Sequence, residues 1–182
     1  MAQECGGSPG LNVSKFSAEE FVEWLGVTFK YVNDTFGSQV ADMYAPEIAH
    51  STQLAFDTIA ADISMTCGNA ALATAAGKGF ATSPVYLVHN EQHPDDGRWA
   101  FHGYDLHLAI AGEGPAAVAL RDAWYEFAST GKVATWHPVT AATPWATNRV
   151  SNSGSYLAVG WKKKQCDFWK AAGFGPEFWW SN

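Results

Sequence analysis

The chain has 182 residues, of which 47% are hydrophobic, and its formal net charge is −7. This length fits one domain or a large piece of one, and the apolar content argues against an intrinsically disordered chain. The acidic balance argues against nucleic acid as the main partner, because phosphate binding draws on a clustered basic surface. No apolar run approaches the roughly 20 residues that cross a bilayer, so no membrane span is predicted.

The first part of the chain reads as a loop followed by helices. Residues 1–16 are rich in glycine and serine, which predicts a flexible N-terminal segment. A helix is predicted to begin at Ser17, because Ser17 and Glu20 have the spacing of a capping box. The spacing of apolar residues and the stop signals predict further helices, which span about 36–43, 51–65, 70–76, 115–130 and 165–172.

Two short apolar runs predict β-strands. Residues 84–89 have the composition of a buried strand in a parallel sheet, and residues 155–161 form the second candidate. Helices and strands in this order are typical of the α/β class. About two core strands are too few to complete a sheet for this many helices. The sequence therefore predicts a mostly helical part of a larger α/β fold, with an incomplete sheet.

Three short motifs in the second half of the chain resemble one enzyme family. Residues 102–105 read His-Gly-Tyr-Asp and resemble the His-Gly-x-Glu/Asp motif of type-B carboxylesterases and cholinesterases, which follows a late strand of their sheet. Residues 124–131 resemble the family's Trp-x-x-Phe-Ala-x-Thr-Gly helix end. Residues 136–138 resemble the Trp-Pro that comes next, with a histidine inserted. The resemblance implies that residues 17–182 are the C-terminal part of an α/β-hydrolase domain.

The same resemblance implies a disulfide bond. Residues 62–67 resemble the family's Asp-x-x-x-x-Cys segment, and residues 166–169 resemble its Cys-x-Phe-Trp segment. These two cysteines are bonded in cholinesterase-like members, so the resemblance implies a Cys67–Cys166 disulfide. The alternative is a pair of buried reduced thiols. Cys5 has no matching partner and is expected to be free.

His102 is the candidate catalytic residue, again because of the resemblance. The histidine of an α/β-hydrolase takes the proton of the serine nucleophile and then gives it to the leaving alcohol. The remaining histidines have no such motif around them and are interpreted as structural or surface residues; they are His50, His89, His93, His107 and His137.

The other members of a catalytic triad are weakly represented. Residues 6–10 formally fit the nucleophile pattern Gly-x-Ser-x-Gly, but no strand precedes them, and Pro9 has no N–H for an oxyanion hole. The family's acid lies well before the histidine and is often followed by glycine. Glu4 stands at a suitable separation from His102 and is therefore the candidate acid. No metal-ligand motif and no phosphate-binding glycine loop occurs, so no metal or cofactor is predicted.

The sequence thus predicts the C-terminal piece of a carboxylic-ester hydrolase, which would act on a small ester when complete. By itself the chain is expected to be inactive, since it carries neither a nucleophile elbow nor an oxyanion loop. A missing N-terminal half or another protein chain would supply them. The alternative is a non-catalytic, esterase-derived module that serves as an interaction or structural subunit.

The compartment stays open. Sequons at Asn12 and Asn33, together with the expected disulfide, suggest a secretory ancestor. The N-terminal residues lack the basic region and the apolar region of a signal peptide, so no signal peptide is predicted in this chain.

Overall fold

The computed structural model describes residues 12–79, 83–95, 99–101 and 103–175. This described part is a mixed α/β fold, in which helices predominate and a three-stranded sheet is open. The predicted fold class is therefore confirmed. In the described residues no helix is both long and apolar enough to cross a membrane.

The helices and strands follow one another in the order predicted, with three additions. The added elements are α3, α6 and β2. In chain order the elements are α1 (Ala18–Thr28), α2 (Phe36–Met43), α3 (Ala45–His50), α4 (Thr52–Ala61), a π-helical turn (Asp62–Thr66), α5 (Cys67–Gly79), β1 (Leu87–Asn90), α6 (Tyr104–Ala111), α7 (Pro115–Thr130), β2 (Ala146–Ser151), β3 (Gly154–Val159) and α8 (Lys163–Ala171).

The chain divides into two compact units. The first unit comprises Met1–Gly68 together with Gln165–Asn182, and the second comprises Asn69–Lys164. Residues 12–16, which belong to the N-terminal segment, contain a short 3₁₀ turn whose Val13 is buried in the first unit. The Thr52 hydroxyl donates a hydrogen bond to the Val13 carbonyl at 2.8 Å, which ties this turn to the start of α4.

The capping box that the sequence predicts is confirmed at the start of α1. The Ser17 hydroxyl accepts from the backbone N–H of Glu20 at 3.2 Å, and the Glu20 carboxylate accepts from the backbone N–H of Ser17 at 2.7 Å. These two bonds satisfy N–H groups that have no partner inside the helix. Phe21 and Leu25 lie one turn apart on the inner face and are fully buried.

Pro46 lies inside α3, a short helix that the sequence did not predict. It occupies the first turn of α3, where a missing N–H costs nothing because that group has no partner within the helix. The predicted end of α2 at Met43 is confirmed, and α3 begins two residues later.

Aromatic rings fill the core of the first unit around Trp169, which is fully buried. The rings paired with it belong to Phe29, Phe36, Tyr44, Phe168 and Phe174.

Gly37 allows α1 and α2 to pack backbone against backbone. A Cβ added at Gly37 would lie 2.5 Å from the Cα of Gly26, whereas a Cβ added at Gly26 would meet nothing within 4 Å. We therefore expect Gly37→Ala to lower the free energy of unfolding by about 1–3 kcal/mol, because the backbone it meets cannot move aside.

Gly26→Ala is the matched control for this substitution. It adds the same methyl group at the same helix crossing, and we expect it to leave stability unchanged or to raise it by up to about 1 kcal/mol. Urea unfolding of both variants tests the pair. Equal effects of the two substitutions would contradict the close approach.

The sheet of the second unit has the order β1-β2-β3. Strand β1 runs parallel to β2, and β3 runs antiparallel to β2. The two predicted strands are present as β1 and β3, whereas the central strand β2 was not predicted. Its polar residues interrupt the apolar pattern of a central strand, yet Thr147 and Asn148 are both buried.

The predicted strand at 84–89 is less buried than its composition suggests. Strand β1 begins at Leu87, and Val88 is 37% exposed. Within the described residues β1 pairs with β2 on one side, so its second edge has no neighbouring strand. An apolar parallel strand of this kind normally has partners on both sides.

The α7 helix has the bounds predicted for it. It begins at Pro115 and ends before Gly131, whose φ of +72° is the left-handed conformation that glycine adopts at no cost. Leu120 of α7 packs against Leu108 of α6. The guanidinium of Arg121 donates to the Gly112 carbonyl at 2.7 Å and so caps the end of α6.

Candidate functional site

The two residues predicted to act in catalysis, His102 and Glu4, both lie outside the described residues. The chain on either side of His102 is described. Strand β1 ends at Asn90 and α6 begins at Tyr104, so position 102 falls in the segment that joins a sheet strand to a helix. This is the sequence setting that the resemblance implies for the catalytic histidine. Its role stays a prediction.

Gly103, which follows His102, has a structural reason to be glycine. Its φ is +79°, a left-handed conformation, and it forms the N-cap of α6. A side chain at this φ is strained, even though a Cβ would meet nothing within 4 Å. The ring of Tyr104 lies 5.0 Å from that of Phe101, so aromatic residues flank the turn on both sides.

Two further segments that resemble motifs of the family meet at Tyr86, just before β1. The Tyr86 ring contacts Phe127 of the 124–131 motif at 5.9 Å and Trp136 of the 136–138 motif at 6.0 Å, both edge to face. The Tyr86 hydroxyl also accepts from the backbone N–H of Val133 at 3.2 Å. The Tyr86 side chain therefore contacts both segments next to the start of β1.

Asn148 holds the segment that carries the inserted histidine. Its side-chain oxygen accepts from the backbone N–H of His137 at 2.7 Å, and its Nδ2 donates to the His137 carbonyl at 2.9 Å. The same Nδ2 lies 3.3 Å from the Leu87 carbonyl of β1. Asn148 is buried, so these bonds replace the water that the amide would otherwise need.

Charged and aromatic side chains form a row across the three strands. His89, Arg149 and Tyr156 are partners in the register of β1, β2 and β3. Arg149 forms an ion pair with Glu91, and its guanidinium lies over the Tyr156 ring at 5.2 Å and the Trp161 ring at 5.1 Å. The guanidinium is therefore attracted both by the Glu91 carboxylate and by the negatively polarised faces of the two rings.

His89 is kept neutral in this row. Its ring packs on that of Trp161 at 4.0 Å, and burial lowers its pKa from 6.5 to about 4, with the positive charges of Arg149 and Lys162 as further causes. Glu91 Oε1 lies 3.9 Å from His89 Nε2 and acts in the opposite direction. A neutral histidine at pH 7 is a packing residue here, which agrees with the interpretation of His89 from sequence.

The lowered pKa of His89 predicts a pH-dependent stability. Between about pH 6.5 and about pH 4 the unfolded chain binds a proton at His89 that the folded chain does not. Stability is therefore fully present above this window and falls as the pH decreases through it. We expect His89→Phe to reduce the loss of unfolding free energy between about pH 7 and about pH 5.

Urea unfolding at the two pH values measures this loss. His137→Gln, at an exposed histidine, should leave it unchanged, and equal losses in wild type and His89→Phe would contradict the assignment.

The Cys67–Cys166 disulfide is present, which confirms the pairing that the resemblance implies. The alternative of two reduced thiols is wrong for this pair. The bond joins the 62–67 segment to the 166–169 segment within the first unit.

A buried chain of hydrogen bonds runs beside this disulfide. The indole N–H of Trp169 donates to the Tyr44 hydroxyl at 2.8 Å, and that hydroxyl donates to the Asp62 carboxylate at 2.9 Å. Burial, followed by the negative charge of Asp62, raises the pKa of Tyr44 and keeps it protonated as a donor. Asp62 and Trp169 belong to the two motif segments. Tyr44 was missed from sequence, where it is a single tyrosine without a motif.

No group of three or more His, Cys, Asp or Glu in the described part of the chain could hold a metal ion. The chain matches no family model and no curated protein. A function must therefore be inferred from the motifs of the sequence and from the contacts among the described residues.

Proposed function

We propose that this chain is the C-terminal part of a carboxylic-ester hydrolase of the type-B carboxylesterase kind, with His102 as the histidine of its triad. The observation that carries the proposal is the Cys67–Cys166 disulfide. The sequence has three cysteines, and the family motifs single out this pair.

The contacts around the disulfide support the same proposal. The motif segments contribute Asp62 and Trp169 in addition to the cysteines, and Tyr44 bonds to both. A single short motif can arise by chance. Motifs whose specific residues contact one another are harder to obtain without a common origin.

The second unit adds an independent group of contacts. Motifs 124–131 and 136–138 meet at Tyr86, and β1 then leads to the segment with His102. In an α/β-hydrolase the histidine follows a strand of the sheet so that its ring can reach a serine on a strand-to-helix turn. The motifs around β1 are those expected near such a histidine.

The chemistry follows from the proposed role of His102. A serine outside this chain attacks the ester carbonyl while His102 accepts its proton. His102 then gives this proton to the alcohol as the bond to it breaks, which leaves an acyl-enzyme, and a water molecule activated by His102 releases the acid and restores the serine. An acidic residue orients the imidazole, and Glu4 is the candidate for it.

We expect the purified 182-residue chain to hydrolyse p-nitrophenyl acetate no faster than its His102→Ala variant. A histidine alone, without a serine nucleophile and an oxyanion hole, stabilises the transition state of ester hydrolysis only weakly. Release of p-nitrophenol, followed by absorbance, is the measurement. Saturable turnover that His102→Ala abolishes would contradict the expected inactivity.

The proposal itself is tested on the native species from the source cells. That species is captured with an antibody to this chain, treated with a fluorophosphonate that labels activated serines, and analysed by intact mass. We expect one labelled serine in the captured species and no label when His102→Ala replaces the wild-type sequence. Captured species that never carry the label would overturn the hydrolase assignment.

A second candidate function is a non-catalytic interaction or structural subunit derived from an esterase. One edge of β1 pairs with no strand among the described residues, and this favours the second candidate, because an edge strand pairs readily with another strand. An unlabelled chain in a stable complex of defined mass is the result that this candidate predicts.

A further inference from the structure

A groove of about 430 Å³ lies in the second unit between α7 and the turn that joins β2 to β3. Its volume is in the range of small-molecule sites. One wall is the face of α7 from Pro115 to Glu126, and the other is Val150 to Ser155. Neither Cys67 nor Cys166 is among the described residues that line it.

Gln92 lines this groove and has an unsatisfied polar atom. Its side chain is fully buried, and its Nε2 donates to the Ala116 carbonyl at 3.2 Å. Its Oε1 has no hydrogen-bond partner among the described residues. Buried amide oxygens almost always accept a hydrogen bond, so this atom calls for a donor such as a hydroxyl or an N–H group.

The charges along the described lining are all negative. They belong to Asp122 and Glu126, which stand four residues apart on α7 and so lie next to each other on the helix surface. Neither carboxylate forms an ion pair with a described residue. This end of the groove therefore attracts a cation.

An aromatic ring borders the same end. The carboxylate of Glu126 accepts from the backbone N–H of Ala134 at 3.0 Å, which fixes Thr135 and Trp136 close to it, and both line the groove. An ammonium group over an indole face gains a further attraction. Between this end and Gln92 the lining is apolar, with Ala119, Ala123 and Val150.

We propose that this groove binds a small organic cation that has an apolar body. The ammonium group lies at the Asp122–Glu126–Trp136 end, and a hydroxyl or amide donor at the other end of the molecule bonds to Gln92 Oε1. The proposal does not rest on the proposed ester chemistry, and its test does not depend on hydrolysis.

Three probes of similar shape separate the contribution of the ammonium group to binding from that of the hydroxyl group. Tyramine carries an ammonium and a hydroxyl at opposite ends, 2-phenylethylamine lacks the hydroxyl, and 3-(4-hydroxyphenyl)propionate has a carboxylate in place of the ammonium. Each is titrated into ¹⁵N-labelled chain. We expect tyramine to give saturable shifts at the Gln92 side-chain amide and at the backbone of Asp122 and Glu126. The amine without hydroxyl should bind about two- to tenfold more weakly, and the carboxylate should give no saturable shift.

Matched variants test whether the negative charges of Asp122 and Glu126 contribute to binding. Glu126→Gln keeps the acceptor for the Ala134 N–H and removes the charge, and Asp122→Asn does the same at an exposed side chain. We expect each to weaken tyramine binding about two- to fivefold. Glu113→Gln removes the same charge from a residue outside the lining and should bind as wild type does, with thermal melting to establish that all three variants are folded.

The proposal is overturned by any of three results. They are tyramine shifts that do not saturate or fall elsewhere, equal binding of the amine and the carboxylate probes, and wild-type affinity in both Glu126→Gln and Asp122→Asn.

Discussion

Removing the Cys67–Cys166 disulfide is expected to lower the free energy of unfolding by about 4–5 kcal/mol. The two cysteines are 99 residues apart, and a cross-link over so long a loop removes much of the conformational freedom of the unfolded chain. Cys166 is also buried, so its reduced thiol would stay inside the core without gaining contact with water. The double variant Cys67→Ala/Cys166→Ala isolates the effect.

Urea unfolding of the oxidised wild type and the double variant, followed by circular dichroism, measures the difference. Wild type treated with dithiothreitol should behave like the double variant, which separates the loss of the bond from the loss of the sulfur atoms. Cys5→Ser is the control, since Cys5 is predicted to be free. A double variant as stable as oxidised wild type, or a large effect of Cys5→Ser, would contradict this account.

Elements set by nearby residues were predictable from sequence. The start of α1 is fixed by Ser17 and Glu20, which lie within one turn of each other, and the end of α7 is fixed by Gly131. A cap needs only the residues beside it, so its signal survives in any context. The same reasoning explains why the bounds of α7 were predicted correctly, with Pro115 in its first turn and Gly131 just after its end.

Strand β2 shows where local signals fail. Its Asn148 is polar in sequence but buried in the fold, because its amide bonds to the backbone of Leu87 and of His137. These partners lie 61 and 11 residues away in sequence. An apolar pattern cannot reveal a polar residue whose burial depends on distant partners, so β2 was missed.

Some residues of the candidate site were likewise predictable from nearby sequence, and others were not. The disulfide was predicted, because the segment around each cysteine resembles a motif of the family. Tyr44 carries no motif, and its role follows from its contacts with Asp62 and Trp169. His102 and Glu4 lie outside the described residues and stay predictions that the fluorophosphonate experiment addresses for His102.

Trp169→Ala is expected to lower the free energy of unfolding by about 3–5 kcal/mol. Trp169 is fully buried, and its ring lies 5.5 Å from that of Phe29 and 5.0 Å from that of Phe174. Truncation leaves a cavity among these rings and removes the donor that Tyr44 accepts from. Urea unfolding gives the measurement, and Trp124→Ala is the control at a ring that is 39% exposed.

Conservative variants separate packing from the hydrogen bonds. Trp169→Phe keeps a ring but removes the N–H, and Tyr44→Phe removes both the acceptor of that N–H and one donor to Asp62. We expect Tyr44→Phe to cost about 2–3 kcal/mol, because it leaves buried polar groups with fewer partners, while Tyr31→Phe at a 71% exposed ring should cost little.

The double variant Trp169→Phe/Tyr44→Phe tests whether these two residues act together. If the hydrogen bond from Trp169 to Tyr44 contributes to stability, Trp169→Phe and Tyr44→Phe remove the same interaction. Together they should then cost less than the sum of their separate effects. Strictly additive costs would mean that the bond contributes nothing, and the proposed link between the two motif segments would rest on the disulfide alone.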